Sequence, residues 1–175
     1  MRSLVLSAAA LALMASPALA QEGPASNVYG TIGYSQLDSD DADLGAITAR
    51  VGTRFTPNLG IEGELSVGVR DDDFMVGATP VKAELEYDAA VYGVAYLPVS
   101  ENFELFGRVG YGTTEAKLSS GAVSATDSEE SWNYGFGGQY SLDARNGIRA
   151  DWTRRDYRDD AGEADVYSLS FVRRF

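Results

Sequence analysis

The last nine residues, Tyr167-Ser168-Leu169-Ser170-Phe171-Val172-Arg173-Arg174-Phe175, alternate in character and finish on an aromatic. Chain ends usually fray into polar tails, because terminal residues have few partners to repay ordering. A terminus patterned to its final residue reads instead as a strand used along its whole length. Period two sets Tyr167, Leu169, Phe171 and Phe175 on one face, and Ser168, Ser170, Val172 and Arg174 on the other.

Working back from this strand, seven more alternating segments of nine to twelve residues precede it, the length a tilted strand needs to cross a bilayer. The first, Val28 to Gln36, puts Val28, Ile32 and Tyr34 on one face. The second sets Ile47, Ala49, Val51, Thr53 and Phe55 against Thr48, Arg50, Gly52 and Arg54, and the third sets Leu59, Ile61, Gly63, Leu65, Val67 and Val69 against Glu62, Glu64, Ser66, Gly68 and Arg70. In the fourth, Leu85, Tyr87, Ala89, Val91, Ala95 and Leu97 oppose Glu86, Asp88, Tyr92 and Tyr96; in the fifth, Phe103, Leu105, Val109 and Tyr111 oppose Glu104, Phe106, Arg108 and Gly110. The sixth has Trp132, Tyr134, Phe136 and Tyr140 against Asn133, Gly135, Gly137 and Gln139, and the seventh has Ile148, Ala150 and Trp152 against Arg149, Asp151, Thr153 and Arg155. The expected fold is all-β, an eight-stranded antiparallel up-and-down barrel.

The connections alternate too. Tight turns (TPN, PVSEN, SLDARN) follow segments two, four and six, whereas longer acidic stretches follow one, three, five and seven. Such a rhythm fits a meander whose two ends face different surroundings.

Which face points inward is a separate question, since a soluble ligand-binding barrel would bury the apolar side. Three features favour the inverse, a barrel that meets lipid. The polar face carries small residues, Gly52, Gly60, Gly68, Gly110, Gly112, Gly135 and Gly137, that relieve crowding in a narrow lumen. Its cations are all arginine, with Lys82 and Lys117 confined to long connections. Aromatics cluster near both strand ends: Phe55, Phe103, Tyr140 and Phe175 at the tight turns, and Tyr34, Tyr87, Trp132 and Trp152 toward the long connections, as girdles at two membrane interfaces do. Closure of the last strand on the first is then required, because an unpaired edge in lipid strands backbone groups at several kcal/mol each.

The front end fits export. Arg2, an apolar run from Leu4 to Ala15, Pro17 and the small-residue site Ala18-Leu19-Ala20 make a signal peptide over residues 1–20, leaving a barrel domain over 21–175. Cysteine is absent, so no disulfide is expected. Histidine is absent as well, which removes Ser-His-Asp chemistry and histidine-held metals. The pair Glu62 and Glu64 could suit acid/base work by spacing, but beside Arg50 and Arg54 it reads as lumen ion pairing. YGFGGQY lacks the following helix of a dinucleotide loop. In DSDDADLG, Asp43 stands where a calcium loop needs glycine, and Ala49 where it needs the bidentate glutamate. No enzyme and no cofactor is expected.

The C-terminal aromatic preceded by apolar residues at alternate positions (Tyr167, Leu169, Phe171, Phe175) resembles the signal read by the outer-membrane assembly machinery; Arg173 departs, where a hydrophobic is usual. The whole exported chain resembles the small eight-stranded OmpA-like and opacity-protein-like barrels called porin family proteins, without the peptidoglycan-binding domain of OmpA. The resemblance implies the outer membrane of a Gram-negative bacterium, with lipid, lipopolysaccharide and the assembly machinery as partners.

Charge placement carries the functional reading. Beyond residue 20 the chain has 13 Lys+Arg and 26 Asp+Glu, net −13, and the stretches Asp38–Asp43, Asp71–Glu84, Glu115–Glu130 and Asp156–Glu163 carry −4, −3, −3 and −3. The barrel is neutral and its crown acidic, which argues against nucleic acid as a partner. Divalent cations suit such carboxylates, with Asp38, Asp40, Asp41 and Asp43 as weak calcium or magnesium candidates and Asp71, Asp72, Asp73, Asp159 and Asp160 contributing. Inside, Arg50, Arg54, Glu62, Glu64, Glu86, Asp88, Arg108, Arg149, Asp151, Arg155 and Arg174 are expected to form a charge network that plugs the lumen, because eight strands leave room only for side chains. Folding about Pro57 sets Arg50 beside Glu64; folding about Pro98, with Leu97 opposite Phe103, sets Tyr92 beside Arg108. A structural or surface-interaction role follows, the alternatives being a low-conductance channel or an adhesin.

Overall fold

The computed structural model describes residues 27–39, 43–70, 72–76, 79–120, 123–158 and 162–175. The expected signal peptide, and Asp40, Asp41, Asp71, Asp159 and Asp160, lie outside the described residues. Nine strand segments occur in order: β1 (Val28–Ser39), β2 (Asp43–Arg54), β3 (Leu59–Arg70), β4 (Asp72–Val76), β5 (Thr79–Pro98), β6 (Phe103–Ser120), β7 (Val123–Ser141), β8 (Asn146–Tyr157) and β9 (Glu163–Arg174). Each pairs antiparallel with its sequence neighbours, except that β3 and β4 share β5: β3 pairs the stretch from Asp88 to Ala95, and β4 the stretch from Thr79 to Ala83. They make one interrupted stave, so the wall has eight. β9 returns to β1 from Ala164↔Ser39 to Arg174↔Tyr29, and the Phe175 amide donates to the Val28 carbonyl at 3.1 Å. Among the described residues the wall closes with no strand edge left in the membrane, as the terminal pattern requires.

Alternation sorts the faces as read from the sequence over the middle of the wall. Val51, Val91, Val109, Phe136 and Leu169 point outward, while Arg50, Glu62, Arg108, Arg149 and Asp151 are buried inside. Glycines on the inner face sit under large neighbours. A β-carbon added at Gly52 would run into the Tyr29 ring, at Gly110 into Tyr92, and at Gly137 into Phe106. Outward Gly107, by contrast, has nothing nearer than 3.9 Å. Gly52→Val or Gly137→Val is therefore expected to destabilise the refolded barrel by about 1–3 kcal/mol through overpacking, and Gly107→Ala to stay within about 0.5 kcal/mol. Urea titration in lipid vesicles reads both; equal losses would mean the inner glycines do not set the fit.

The three tight turns share one construction. Phe55, Val99 and Leu142 donate to the carbonyls of Leu59, Phe103 and Asn146 at 3.1, 2.9 and 2.9 Å, closing three-residue loops. The first loop residue caps each from its side chain. Thr56 Oγ1 accepts from the Leu59 amide at 2.9 Å, Ser100 Oγ from the Phe103 amide at 3.1 Å, and Asp143 Oδ1 from the Arg145 and Asn146 amides at 2.8 Å each. The Asn146 side chain and these two amides hold the Asp143 carboxyl below its ordinary range.

Three expectations are corrected. The Pro98 turn pairs Leu97 with Leu105, two residues off the expected register, so Tyr92 faces Gly110 and Arg108 faces Val94. The tighter loop, closed by Val99 to Phe103, is the cause. Next, the stretches 71–84 and 115–130 are not open loops: β4 pairs β5, and β6 pairs β7 out to Ser120↔Val123. Backbone groups leaving the bilayer still need partners, and continuing the ladder supplies them. Last, the β5/β6 register shifts between Leu85 and Tyr87. This bulge turns Leu85 inward, 6% exposed, and Glu86 outward, so Glu86 is not in the lumen.

The bulge belongs to a wider inversion. Near the long connections Leu37, Leu44, Ala46, Leu85, Ala164 and Val166 are packed inside as one cluster, with Tyr157 against it, while Asp38, Asp43 and Glu163 face out. Polarity reverses where the surroundings change from hydrocarbon to water.

Candidate functional site

The interior is built in layers, each carried by the inward positions of successive strands. At the mouth nearest the tight turns, Glu104 on β6 accepts from Arg54 on β2 at 2.9 and 2.5 Å and from Gln139 on β7 at 2.9 Å; Arg174 lies 3.5 Å away. The Arg54 guanidinium lies 3.6 Å over the Tyr96 ring. Glu104 was missing from the expected network, although its inward phase beside Phe106 and Arg108 marks it.

An aromatic layer follows, with Tyr29, Tyr92, Tyr96, Phe106, Val94 and Val172 packed together. The Tyr29 hydroxyl donates to Glu62 at 2.7 Å and shares a 2.6 Å contact with the Tyr96 hydroxyl. Arg149 reaches across from β8, donating to Glu62 at 2.5 Å with its guanidinium 4.2 Å from the Phe106 ring.

Glu64 is the hub of the central layer. It accepts from Arg50 at 2.6 Å, Arg108 at 3.0 Å, Arg155 at 3.2 Å and the Tyr92 hydroxyl at 3.2 Å. Asp151 takes Arg50 in a fork, at 2.9 and 3.2 Å, and Arg108 at 2.9 Å. Arg155 pairs with Asp88, which also accepts from Thr114 at 3.1 Å. The Arg50–Glu64 register agrees with the tight turn about Pro57. Arg108 lies 4.4 Å over the Tyr92 ring even though the two are not directly opposite.

Among the described residues the buried charges are balanced: Arg50, Arg108, Arg149 and Arg155 against Glu62, Glu64, Asp88 and Asp151. Such groups lower each other's energy only as a set, because each alone would be an uncompensated charge out of water. Glu62 and Glu64, the pair whose spacing suggests acid/base work, are each bonded to arginine guanidinium groups and a tyrosine hydroxyl. Above them a hydroxyl layer, Ser35 with Thr48 at 2.7 Å, Ser35 with Ser168 at 2.8 Å and Thr48 with Ser66 at 2.8 Å, leads to the inward Leu37–Leu85 cluster.

Outside, the rim is polar. Arg154 donates to Asp165 at 2.9 and 2.8 Å and to Glu163 at 2.7 Å, and Trp152 Nε1 donates to Asp165 at 3.0 Å. Of the cation candidates, Asp38 and Asp43 face each other across the β1–β2 ladder. Among the described residues no group of three or more such side chains is placed to hold a metal.

A family model for the outer membrane protein beta-barrel domain matches residues 6–175. The chain belongs to that family and resides in the bacterial outer membrane. Solved structures of similar fold include Ail, the attachment invasion locus protein of Yersinia pestis (22% identity, 87% of this chain and 100% of that one, TM-score 0.62). Neisserial surface protein A matches at 10% identity over 87% and 100%, TM-score 0.68, and OprG of Pseudomonas aeruginosa at 11% over 87% and 98%, TM-score 0.64. No curated protein sequence matches. At these identities the likeness is one of fold, and it agrees with the OmpA-like layout read from the strand pattern.

Proposed function

We propose that this outer-membrane barrel is a non-conducting scaffold that presents an acidic β-sheet to basic partners outside the cell. The observation that carries this reading is the extension of β4 to β7 past the closed wall. The described pairing of β7 with β8 begins at Ser131↔Tyr157, whereas β7 stays paired with β6 from there out to Val123. Among the described residues the ladder of β7 beyond Ser131 runs on the β6 side only, a geometry that suits addition of a partner's strand, and the sequence of the extension is rich in aspartate and glutamate. Ail has been solved with the heparin analogue sucrose octasulfate. A crown of net −13 favours the opposite sign.

The packed interior supports the non-conducting half. Four buried arginines and four carboxylates lie between an aromatic layer and an aliphatic one, so an ion would have to break several pairs to pass. In planar bilayers the refolded protein is expected to give no steady conductance; sustained openings would overturn this. For the surface role, a lysine-rich extended peptide is expected to bind with an affinity that falls as salt rises, and heparin not to bind. Heparin binding as tight as the peptide's would reject it. Divalent cations are proposed to bridge the crown to lipopolysaccharide phosphates, with Asp38 and Asp43 contributing. Calcium heats that survive Asp38→Asn with Asp43→Asn would remove those two from the account.

A further inference from the structure

One wall of the barrel is hollowed on its lipid-facing side. A groove of about 560 Å³ crosses β2, β3 and β5 and reaches β6, passing from Ala49 over Gly63 to Ala89 and Tyr111. A second depression of about 300 Å³ shares Val51, Gly63 and Val91 with it and continues toward Val28. Gly63 is the common floor. A β-carbon there would meet nothing nearer than 3.9 Å, whereas one on inner-facing Gly52 or Gly110 would collide with protein atoms, so the packing of this chain does not itself call for glycine at 63. Such a strand glycine marks a close approach from outside the chain.

The opposite wall carries the reverse shape. Tyr134 and Phe136 on β7 lean on Trp152 of β8, with ring centroids 6.4 and 5.3 Å from the indole, and Phe136 is 64% exposed. The three rings form a ridge. Counted around the closed wall, with β3 and β4 as one stave, β8 lies four staves from β3 in either direction, so ridge and groove face opposite ways. Their depth in the bilayer also agrees. Gly63 lies four residues from Leu59, and Phe136 and Trp152 lie four from Tyr140 and Ile148, each reference being the lipid-facing strand residue nearest its tight turn.

We propose that copies of this barrel associate side by side in the membrane, the Phe136–Trp152 ridge of one seated in the Gly63 groove of the next. Every copy carries both halves of the contact on opposite walls, so the contact is heterologous and extends into a row instead of closing as a dimer. Within hydrocarbon there is no hydrophobic gain; close packing and lipid entropy decide association, and small residues let two walls approach. An acyl chain filling the groove must surrender its rotational freedom, whereas rings already held against one another have little left to lose. This favours a second copy over lipid as the occupant. Repulsion between acidic crowns opposes the contact and is screened over about 8 Å at physiological ionic strength, so rows should lengthen as salt rises.

The chain has no cysteine, so introduced thiols report contacts without background. The test oxidises refolded protein in phospholipid vesicles with copper phenanthroline, with folding read by heat-modifiable gel migration. Gly63→Cys mixed with Phe136→Cys should give disulfide-linked pairs at least about fivefold above Gly63→Cys mixed with Ile32→Cys. Ile32 is the control because it faces lipid on β1, four residues from Val28 and off the ridge. A chain carrying both Gly63→Cys and Phe136→Cys should give a ladder of trimers and longer species. If Phe136→Cys fails to fold, Tyr134→Cys takes its place. Equal yield with the Ile32 variant would mean chance collision, and absence of linked pairs would leave the groove to lipid. Gly63→Cys linking to itself above the mixed pair, or a ladder that stops at two, would mean a closed dimer. Each of these outcomes would overturn the row.

Discussion

Replacing Glu64 with alanine is expected to cost the refolded barrel about 3–5 kcal/mol of unfolding free energy, because one carboxylate then disappears from between three buried guanidinium groups. Arg50, Arg108 and Arg155 all lie within 3.2 Å of it. Arg50→Ala should also be severe, since Glu64 and Asp151 both lose a donor. The combined Arg50→Ala, Glu64→Ala variant should lose less than the sum, by about 1 kcal/mol or more, as each single change has already left the other charge short of a partner. Arg108 and Arg155 keep the coupling from being complete. Urea titrations in vesicles of all four proteins measure it; strict additivity would mean that water separates the pair.

The second large effect concerns assembly. Removing Phe175 should lower the amount of folded protein in the outer membrane severalfold, while refolding of the purified chain in detergent suffers less. The residue acts in two ways. Its amide closes the seam to Val28, and its ring reaches Gly30 on β1, 3.6 Å from where a β-carbon would stand. It is also the last residue of the stretch that resembles the assembly signal. Phe175→Ala keeps the amide and drops the ring, so it separates the two contributions. Normal membrane levels of the deletion would reject both.

Much of this molecule was legible in its sequence. Period-two alternation names the strands, and the Thr-Pro-Asn turn fixes the Arg50–Glu64 register, because three loop residues leave one way to pair the flanking strands. The register at the Pro98 turn is hidden from alternation for a reason built into β structure: a slip of two residues returns every side chain to its own face. The Ser100 cap, matched by Thr56 and Asp143 at the other turns, was the available signal. The bulge at Leu85 is hidden differently. An apolar residue followed by an acidic one looks like continued alternation, yet above the outer interface apolar side chains belong inside and acidic ones outside, so the bulge and the change of surroundings cancel in the pattern. Glu104 is marked as inward by its phase beside Phe106 and Arg108, but its pairing is not legible, because its partners, Arg54 and Arg174, come from distant strands that meet only once the barrel closes.

The seam between Val28 and Phe175 is built from the same ladder as every other junction, and it opens on the side of the tight turns. A polypeptide beginning at Pro57 and ending at Thr56, with a short linker joining the old ends, would trace the same eight staves in the same cyclic order. Only the identity of the final strand would change. Such a circular permutant separates two properties that coincide in this chain: which strand carries the terminal aromatic pattern, and which strand the wall needs in order to close.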